Sequence, residues 1–235
     1  MEPRIVQVQE NVLRKNDRLA RQLRERFRTS GVFVINVVSS PGAGKTTLLR
    51  ETLLQLKSRY RVAAVVGDLA TANDARRLAE SGVPVRQITT GTTCHLDAVM
   101  IEKSLAGWDL KNLDFLFIEN VGNLVCPASY DLGEDLRVVL FSVTEGEDKP
   151  AKYPTLVSTS DLALVTKVDL SDAVGFDGVA FAEAIENVRP DIRVIAVSAR
   201  SGVGLDAWLR ALGTARAARE SRPAGNAAAP PGQEA

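Results

Sequence analysis

The sequence predicts an α/β fold: a mostly parallel sheet flanked by helices on both faces, with an N-terminal helical extension. Three observations predict it. From Gly31 onward, short apolar runs alternate with amphipathic stretches, the pattern of repeated strand–helix units. A run containing Gly42 and Gly44 stands between one such strand and one such helix. The longest apolar runs, such as 114–118, are strand-length and far short of a membrane span.

Taken in order, residues 4–8 read as a short β-like stretch. Residues 11–28 turn helical, with Val12, Leu19, Leu23 and Phe27 on one face. Arg14, Lys15, Arg18, Arg21, Arg24, Arg26 and Arg28 crowd the rest. Residues 1–30 are thus an extension whose basic face is either solvated or offered to an acidic partner. Strands are expected at 32–38, 62–66, 83–88, 113–118, 136–143, 162–166 and 192–197. Helices are expected at 45–58, 72–81, 95–106, 179–188 and 205–215. No helical pattern separates 136–143 from the next strand, so that strand is a candidate for antiparallel pairing. Beyond Arg216 the composition collapses to Ala, Pro, Gly, Arg and Glu, too little apolar surface to order itself. The expected organisation is an extension at 1–30, one main domain at 31–216 and a disordered tail at 217–235.

Lys plus Arg and Asp plus Glu each total 29, so the formal net charge is zero. Nothing global attracts nucleic acid or an anionic membrane. No long apolar leader is read at the N-terminus. Two cysteines in 235 residues argue against a disulfide scaffold and fit a reducing cytoplasm, where thiols stay free to bind metal.

Ser39-Ser40-Pro41-Gly42-Ala43-Gly44-Lys45-Thr46-Thr47 follows a strand and opens a helix, the setting a P-loop requires. Gly42 and Gly44 let backbone N–H groups turn inward around phosphate oxygens, with Pro41, Ala43 and Thr47 in the same loop. The helix adds its positive end. Lys45 is expected to reach the β- and γ-phosphates, and the Thr46 hydroxyl to hold Mg²⁺. The usual pattern begins with glycine, where Ser39 stands here. Magnesium also calls for carboxylates. Asp68, Asp74 and Glu119, at or just beyond strand ends, are the candidates, and any one of them could instead cap a strand. Glu119-Asn120-Val121-Gly122 resembles the DxxG switch of GTPases with glutamate for aspartate. The Gly122 N–H is then the group that meets the γ-phosphate.

Thr166-Lys167-Val168-Asp169 ends a strand. A carboxylate at Asp169 can accept from guanine N1–H and the N2 amino group together, whereas adenine would leave it unpaired. The Lys167 stem would cover the base plane. Asparagine usually stands at Thr166, which can still hydrogen-bond the loop. Ser198-Ala199-Arg200 resembles the loop whose alanine N–H meets guanine O6. Guanine is therefore expected over adenine.

The chain has one histidine and two cysteines. His95 directly follows Cys94 at an expected helix start, where a thiol's pKa is lowered. Cys126 lies four residues beyond Gly122, at most ~14 Å of extended chain, so movement of the switch would move that thiol. Adjacent residues do not converge within a regular helix or strand. Joint chelation therefore needs an irregular loop-to-helix junction, or two chains. Taken singly, each cysteine reads more readily as a small buried hydrophobe, and the histidine as a hydrogen-bonded bystander, than as a metal ligand. Thiolate and imidazole together suit tetrahedral Zn²⁺ or, in a planar set, Ni²⁺.

Gly91-Thr92-Thr93-Cys94-His95-Leu96-Asp97-Ala98 and Glu119-Asn120-Val121-Gly122-Asn123-Leu124-Val125-Cys126-Pro127-Ala128 resemble the HypB family, GTPases that assist nickel insertion into nickel–iron hydrogenases. Asp68-Leu69-Ala70-Thr71-Ala72-Asn73-Asp74-Ala75 and Thr144-Glu145-Gly146-Glu147-Asp148-Lys149-Pro150 agree, and the resemblance covers residues 5–213. It implies a SIMIBI-type P-loop GTPase domain at 31–216 with low intrinsic hydrolysis. It also implies metal binding by Cys94, His95 and Cys126, and a homodimer promoted by GTP. The implied partners are a HypA-type metallochaperone and, indirectly, the hydrogenase large-subunit precursor. The urease-accessory GTPases are the alternative, but they carry a Cys-Pro-His pattern where Cys94 and His95 are contiguous. The Cys-rich nickel motif and the His-rich storage stretch of some members are missing, which points to transfer rather than storage. A small-molecule kinase would use the same P-loop without needing Thr-Lys-x-Asp. A passive metal module would bind metal alike in every nucleotide state. Lys149 and Lys152, in the loop 146–153, are either exposed lysines or groups that reach across a dimer toward nucleotide.

Overall fold

A computed structural model describes residues 4–221, with side chains from residue 11 onward. Seven strands form one sheet: β1 (Phe33–Ser39), β2 (Val62–Asp68), β3 (Val85–Thr89), β4 (Phe115–Glu119), β5 (Leu136–Ser142), β6 (Leu162–Thr166) and β7 (Arg193–Val197). Their order is β3-β2-β4-β1-β5-β6-β7, and every pairing is parallel. All seven strands thus deliver their C-terminal ends to one edge of the sheet. β1 lies between β4 and β5, so the loops that follow these three strands meet there, where open α/β sheets bind ligands.

The helices are α1 (Arg4–Ser30), α2 (Lys45–Leu56), α3 (Asn73–Ala79), α4 (Ala98–Ser104), α5 (Lys149–Lys152), α6 (Pro154–Ser158), α7 (Ser171–Val174), α8 (Gly178–Glu186) and α9 (Leu205–Glu220). They cover both faces, which is why central strands are buried along their whole length. Alternate strand residues divide between the two faces of the sheet. Phe33, Ile35 and Val37 pack with Leu49 and Leu53 of α2 and with Trp208 of α9. Val34 packs with Leu23 and Phe27 of α1 and Ile101 of α4. Val139 and Val165 pack with Leu156 of α6 and Phe181 of α8. Between α2 and α9 the buried Trp208 indole N–H donates to the buried Thr52 Oγ1 at 2.9 Å.

Four expectations need correction. Residues 4–8 belong to α1 rather than to a β-like stretch. A lone strand needs a partner, whereas a helix satisfies its own backbone, and Pro3 stands just ahead of the first helical residue. The buried stripe of α1 runs through Asn16, Ala20, Leu23 and Phe27, while Val12 is 49% exposed. β5 is parallel to β6, with Val138 beside Leu162 and Phe141 beside Val165. The crossover between them consists of α5 and α6, which Pro150 and Pro154 keep too short to show helical periodicity. Finally, α9 continues to Glu220, beyond the expected tail boundary, and residues 222–235 lie outside the described residues.

Candidate nucleotide and metal site

The P-loop wraps the end of β1 through two left-handed glycines, Gly42 (φ 78°) and Gly44 (φ 95°). α2 begins at Lys45 with no side chain capping its first N–H groups, which leaves them to face an anion. The buried Lys45 ammonium donates to Ser39 Oγ at 2.9 Å and to the Ser40 carbonyl at 3.4 Å. Serine at the usual glycine position therefore steadies the phosphate-binding lysine. Burial lowers the Lys45 pKa, while Glu119, Asp74 and Glu145 pull it back.

A cleft of about 430 Å³ brings together Pro41, Gly42, Gly44, Lys45, Thr46, Thr47, Asp68, Asp74, Glu119, Gly122 and Lys167. The Thr46 hydroxyl donates to Glu119 Oε1 at 2.6 Å, and Glu119 Oε2 is buried without a partner. Burial pushes the Glu119 carboxyl up to about 7. Asp74 and Asp68 add to the rise; the Thr46 bond and Lys45 oppose it. For Asp68, burial is outweighed by hydrogen bonds from the Thr71 hydroxyl and neighbouring amides, and its pKa falls. An acceptor pair on Thr46 and Glu119, with two further carboxylates in the same cleft, is the donor set a Mg²⁺ ion requires. Gly122 closes on the P-loop. A Cβ there would lie 3.0 Å from both Pro41 Cα and Pro41 N, so any side chain would push the two loops apart by a few tenths of an ångström.

A second pocket, about 190 Å³, is lined by Ala43, Gly44, Thr166, Lys167, Asp169, Ser198 and Ala199. The Thr166 hydroxyl donates to the Ala43 carbonyl at 2.6 Å, tying the base pocket to the P-loop. Among the described residues, Lys167 is the only non-glycine with positive φ, 59°. That uncommon backbone turns its stem over Gly44, whose Cβ position lies 3.8 Å from Lys167 Cε. Gly204 lets the loop after β7 fold back: a Cβ there would collide with the Ala196 carbonyl. Ser198 Oγ accepts from Ser201 N in the same loop.

Cys94, His95 and Cys126 converge within one chain, their ligand atoms all within 4.8 Å of one another. The two Sγ atoms are 2.9 Å apart. His95 stacks on Tyr130 with ring centroids 3.8 Å apart, and its Nδ1 is buried without a hydrogen-bond partner. Burial lowers the His95 pKa against the pull of Asp97, favouring the neutral imidazole that binds metals. The Cys126 thiol is pushed up by its hydrogen bond with Cys94 and by burial, with Asn123 acting the other way.

The expected helix start at Cys94–His95 is incorrect. α4 begins at Ala98, capped by Asp97, whose Oδ1 accepts from Met100 N at 2.8 Å. Asp97 is the better N-cap, so the chain before it stays irregular, and this irregularity lets adjacent residues converge. Lys149 and Lys152 lie on α5. Lys152 pairs with Asp148, and the Lys149 ammonium sits over the Tyr153 ring. Sequence reasoning missed four buried polar residues between the sites: Asn16, Asn36, Asn120 and Glu134. A polar residue amid apolar strand positions, as in Ile35-Asn36-Val37, was the available signal.

Fold and site together define a P-loop nucleotide-binding protein with a Cys–His–Cys cluster attached to it. Residues 33–196 match the CobW/HypB/UreG nucleotide-binding domain. The hydrogenase maturation factor HypB of Escherichia coli K12 is 49% identical over 215 residues, covering 92% of this chain and 74% of that protein. The crystal structure of HypB from Helicobacter pylori in complex with nickel superposes with a TM-score of 0.83 at 38% identity, covering 90% of this chain and all of that one. The signal recognition particle receptor FtsY of Elizabethkingia anophelis shares the fold, at a TM-score of 0.54 and 18% identity over 77% of this chain and 65% of that one. The chain belongs to the HypB family.

Proposed function

We propose that this chain is a GTP-hydrolysing metallochaperone. In this reading it binds nickel, with zinc as competitor, and couples nucleotide state and dimerisation to nickel delivery in hydrogenase maturation. The observation that carries the reading is the convergence of Cys94, His95 and Cys126 on a segment that starts at the nucleotide cleft. Glu119 touches Thr46, Gly122 touches Pro41, and Cys126 follows four residues on.

The P-loop amides and Lys45 hold the phosphates. Thr46 and Glu119, with Asp68 and Asp74 near them, would hold Mg²⁺, which when bound offsets charge on the β- and γ-phosphate oxygens. The Gly122 N–H engages the γ-phosphate, and hydrolysis releases that contact and resets residues 122–126. Asp169 reads guanine N1–H and N2, the Ala199 N–H reads O6, and the Lys167 stem covers the base. The metal is cargo. Three ligands from one chain leave coordination open, so a second subunit can complete or receive it. Such ligands do not favour nickel over zinc or copper by affinity, so selectivity falls to delivery by a HypA-type partner.

Titrating Ni²⁺ and Zn²⁺ with GDP and with a non-hydrolysable GTP analogue, while recording oligomeric state, tests this. Tighter dimerisation and a changed metal affinity with the analogue are expected; equal affinity in both states sinks the coupling. Asp169→Asn tests the base assignment. Its preference for GTP over ATP, read by competition binding, is expected to fall by on the order of 10²-fold, since unpaired base groups discriminate strongly. An unchanged preference would place guanine recognition elsewhere.

A further inference from the structure

A buried polar chain runs between the nucleotide and metal residues. Asn36, on β1, donates from Nδ2 to Glu134 Oε1 at 3.0 Å, and its Oδ1 accepts from Asn120 Nδ2 at 3.3 Å. Asn120 Oδ1 accepts from Leu96 N at 3.1 Å and from Val121 N at 3.0 Å. At the other end, Arg137 Nε donates to Glu134 Oε1 at 2.8 Å, and the guanidinium also donates to the Ala128 and Tyr130 carbonyls. One continuous network therefore joins Leu96, next to His95, to the backbone just past Cys126. Its member on the nucleotide side is Asn120. The residue before it bonds Thr46, and the glycine two residues after it touches Pro41.

We propose that Asn120 is the positioning residue through which nucleotide state reaches the metal cluster. Its amide oxygen holds the Cys94–His95 loop by the Leu96 N–H, and it rides on the backbone that answers to the γ-phosphate. Any shift of residues 119–122 therefore displaces the loop carrying Cys94 and His95 relative to Cys126. This rests on the reading of those three residues as a metal site under nucleotide control. Buried networks of this kind hold few alternative arrangements, because each lost bond leaves an unpaired polar group.

Asn16 provides the contrast. From α1 it braces the same two segments, accepting from Ala98 N at 2.9 Å and donating to the Asp131 carbonyl at 2.9 Å. Among the described residues, neither of these hydrogen bonds reaches the P-loop or residues 119–122. Loosening the cluster through Asn16 should weaken metal binding without regard to nucleotide, whereas loosening it through Asn120 should erase the nucleotide's influence.

The experiment measures Ni²⁺ affinity of the full chain by thiolate-to-nickel charge-transfer absorbance, with GDP and with a non-hydrolysable GTP analogue plus Mg²⁺. The proteins are wild type, Asn120→Ala, the milder Asn120→Ser, and Asn16→Ala. Coupled sites commonly differ by about 5–150-fold between states. That ratio is expected to collapse toward one in both Asn120 variants. In Asn16→Ala both affinities fall together and the ratio is kept. If Asn120→Ala fails to fold, as judged by circular dichroism, Asn120→Ser alone decides. A wild-type ratio retained in the Asn120 variants overturns the role of Asn120 and leaves the functional reading standing. Collapse of the ratio in Asn16→Ala as well overturns it too, because the effect is then general loosening. A wild-type ratio of one overturns the functional reading and the role of Asn120 together.

Discussion

Glu119→Gln is expected to lower Mg²⁺-dependent GTP hydrolysis by on the order of 10²–10³-fold, the usual cost of losing one preorganised charge at a phosphoryl-transfer site. Glu119 is only 2% exposed. One oxygen accepts the Thr46 hydroxyl at 2.6 Å, and the other is buried with no partner. A cation held beside Thr46 would satisfy that second oxygen. Glutamine keeps the shape and the acceptor for Thr46, so the variant should fold, but it removes the charge. Turnover within a fewfold of wild type would take Glu119 out of the magnesium site and leave Asp68 and Asp74 to fill it.

The same substitution changes the pH dependence of stability in a direction fixed by the folded pKa. Glu119 titrates at about 7 in the folded chain against an ordinary 4.5. The folded state therefore holds its proton more tightly than the unfolded state. The stabilisation is fully present below pH 4.5 and is lost as pH rises through 7. The span corresponds to roughly 3 kcal/mol. Without Mg²⁺ and nucleotide, wild type should lose stability relative to Glu119→Gln between pH 5 and pH 8, as read by chemical denaturation. Glu134 has the opposite sign. Burial would raise it, but Arg137 and Asn36 hold it down to about 2, so its contribution is present above 4.5 and lost only as pH falls through 2. The two acids thus act in separate pH windows. Parallel curves for wild type and Glu119→Gln would show that Glu119 is ionised in the folded chain at neutral pH.

What the sequence made legible was contiguous chemistry. Strand, glycines, lysine and hydroxyl arrive in order from Asn36 to Thr47, and the structure sets them around one cleft. Thr166 stands where asparagine is usual; that its hydroxyl reaches the Ala43 carbonyl of the P-loop is visible only in the structure. Cys94, His95 and Cys126 were legible by scarcity, but their convergence was not. It depends on Leu96, which sits where a Cβ on Gly67 would be, 2.8 Å away, and on Asn120 and Asn16, which hold the backbone on either side of Asp97. Asn36 was missed although it is a polar residue inside a strand, and its partner Glu134 lies 98 residues away, beyond the reach of any local pattern. The parallel pairing of β5 was hidden by Pro150 and Pro154, which break its crossover into pieces too short for periodicity.

Cys126→Ala is expected to weaken Ni²⁺ binding by on the order of 10²-fold or more, since losing a ligand costs more than disturbing the shell that orients it. The Cys94 and Cys126 sulfurs are already 2.9 Å apart, so a metal recruits Cys126 with little rearrangement of the chain. Its position is prepared by Asn123, whose Oδ1 accepts from Val125 N at 2.7 Å and Cys126 N at 3.3 Å. Removing Sγ leaves one thiol and one imidazole. Thiolate is the form that binds, so each coordinating cysteine gives up a proton. The neighbouring Cys94 thiol and burial raise the Cys126 pKa, so the proton is still on Cys126 at neutral pH. Wild type should therefore release about one more proton on binding Ni²⁺ than Cys126→Ala, and its affinity should rise more steeply with pH by that one proton. Isothermal titration of Ni²⁺ in buffers of different ionisation enthalpy counts those protons directly. Equal proton release from wild type and variant would mean that Cys126 is not a ligand, and the link from Gly122 to the metal would have to run through the Cys94–His95 loop alone.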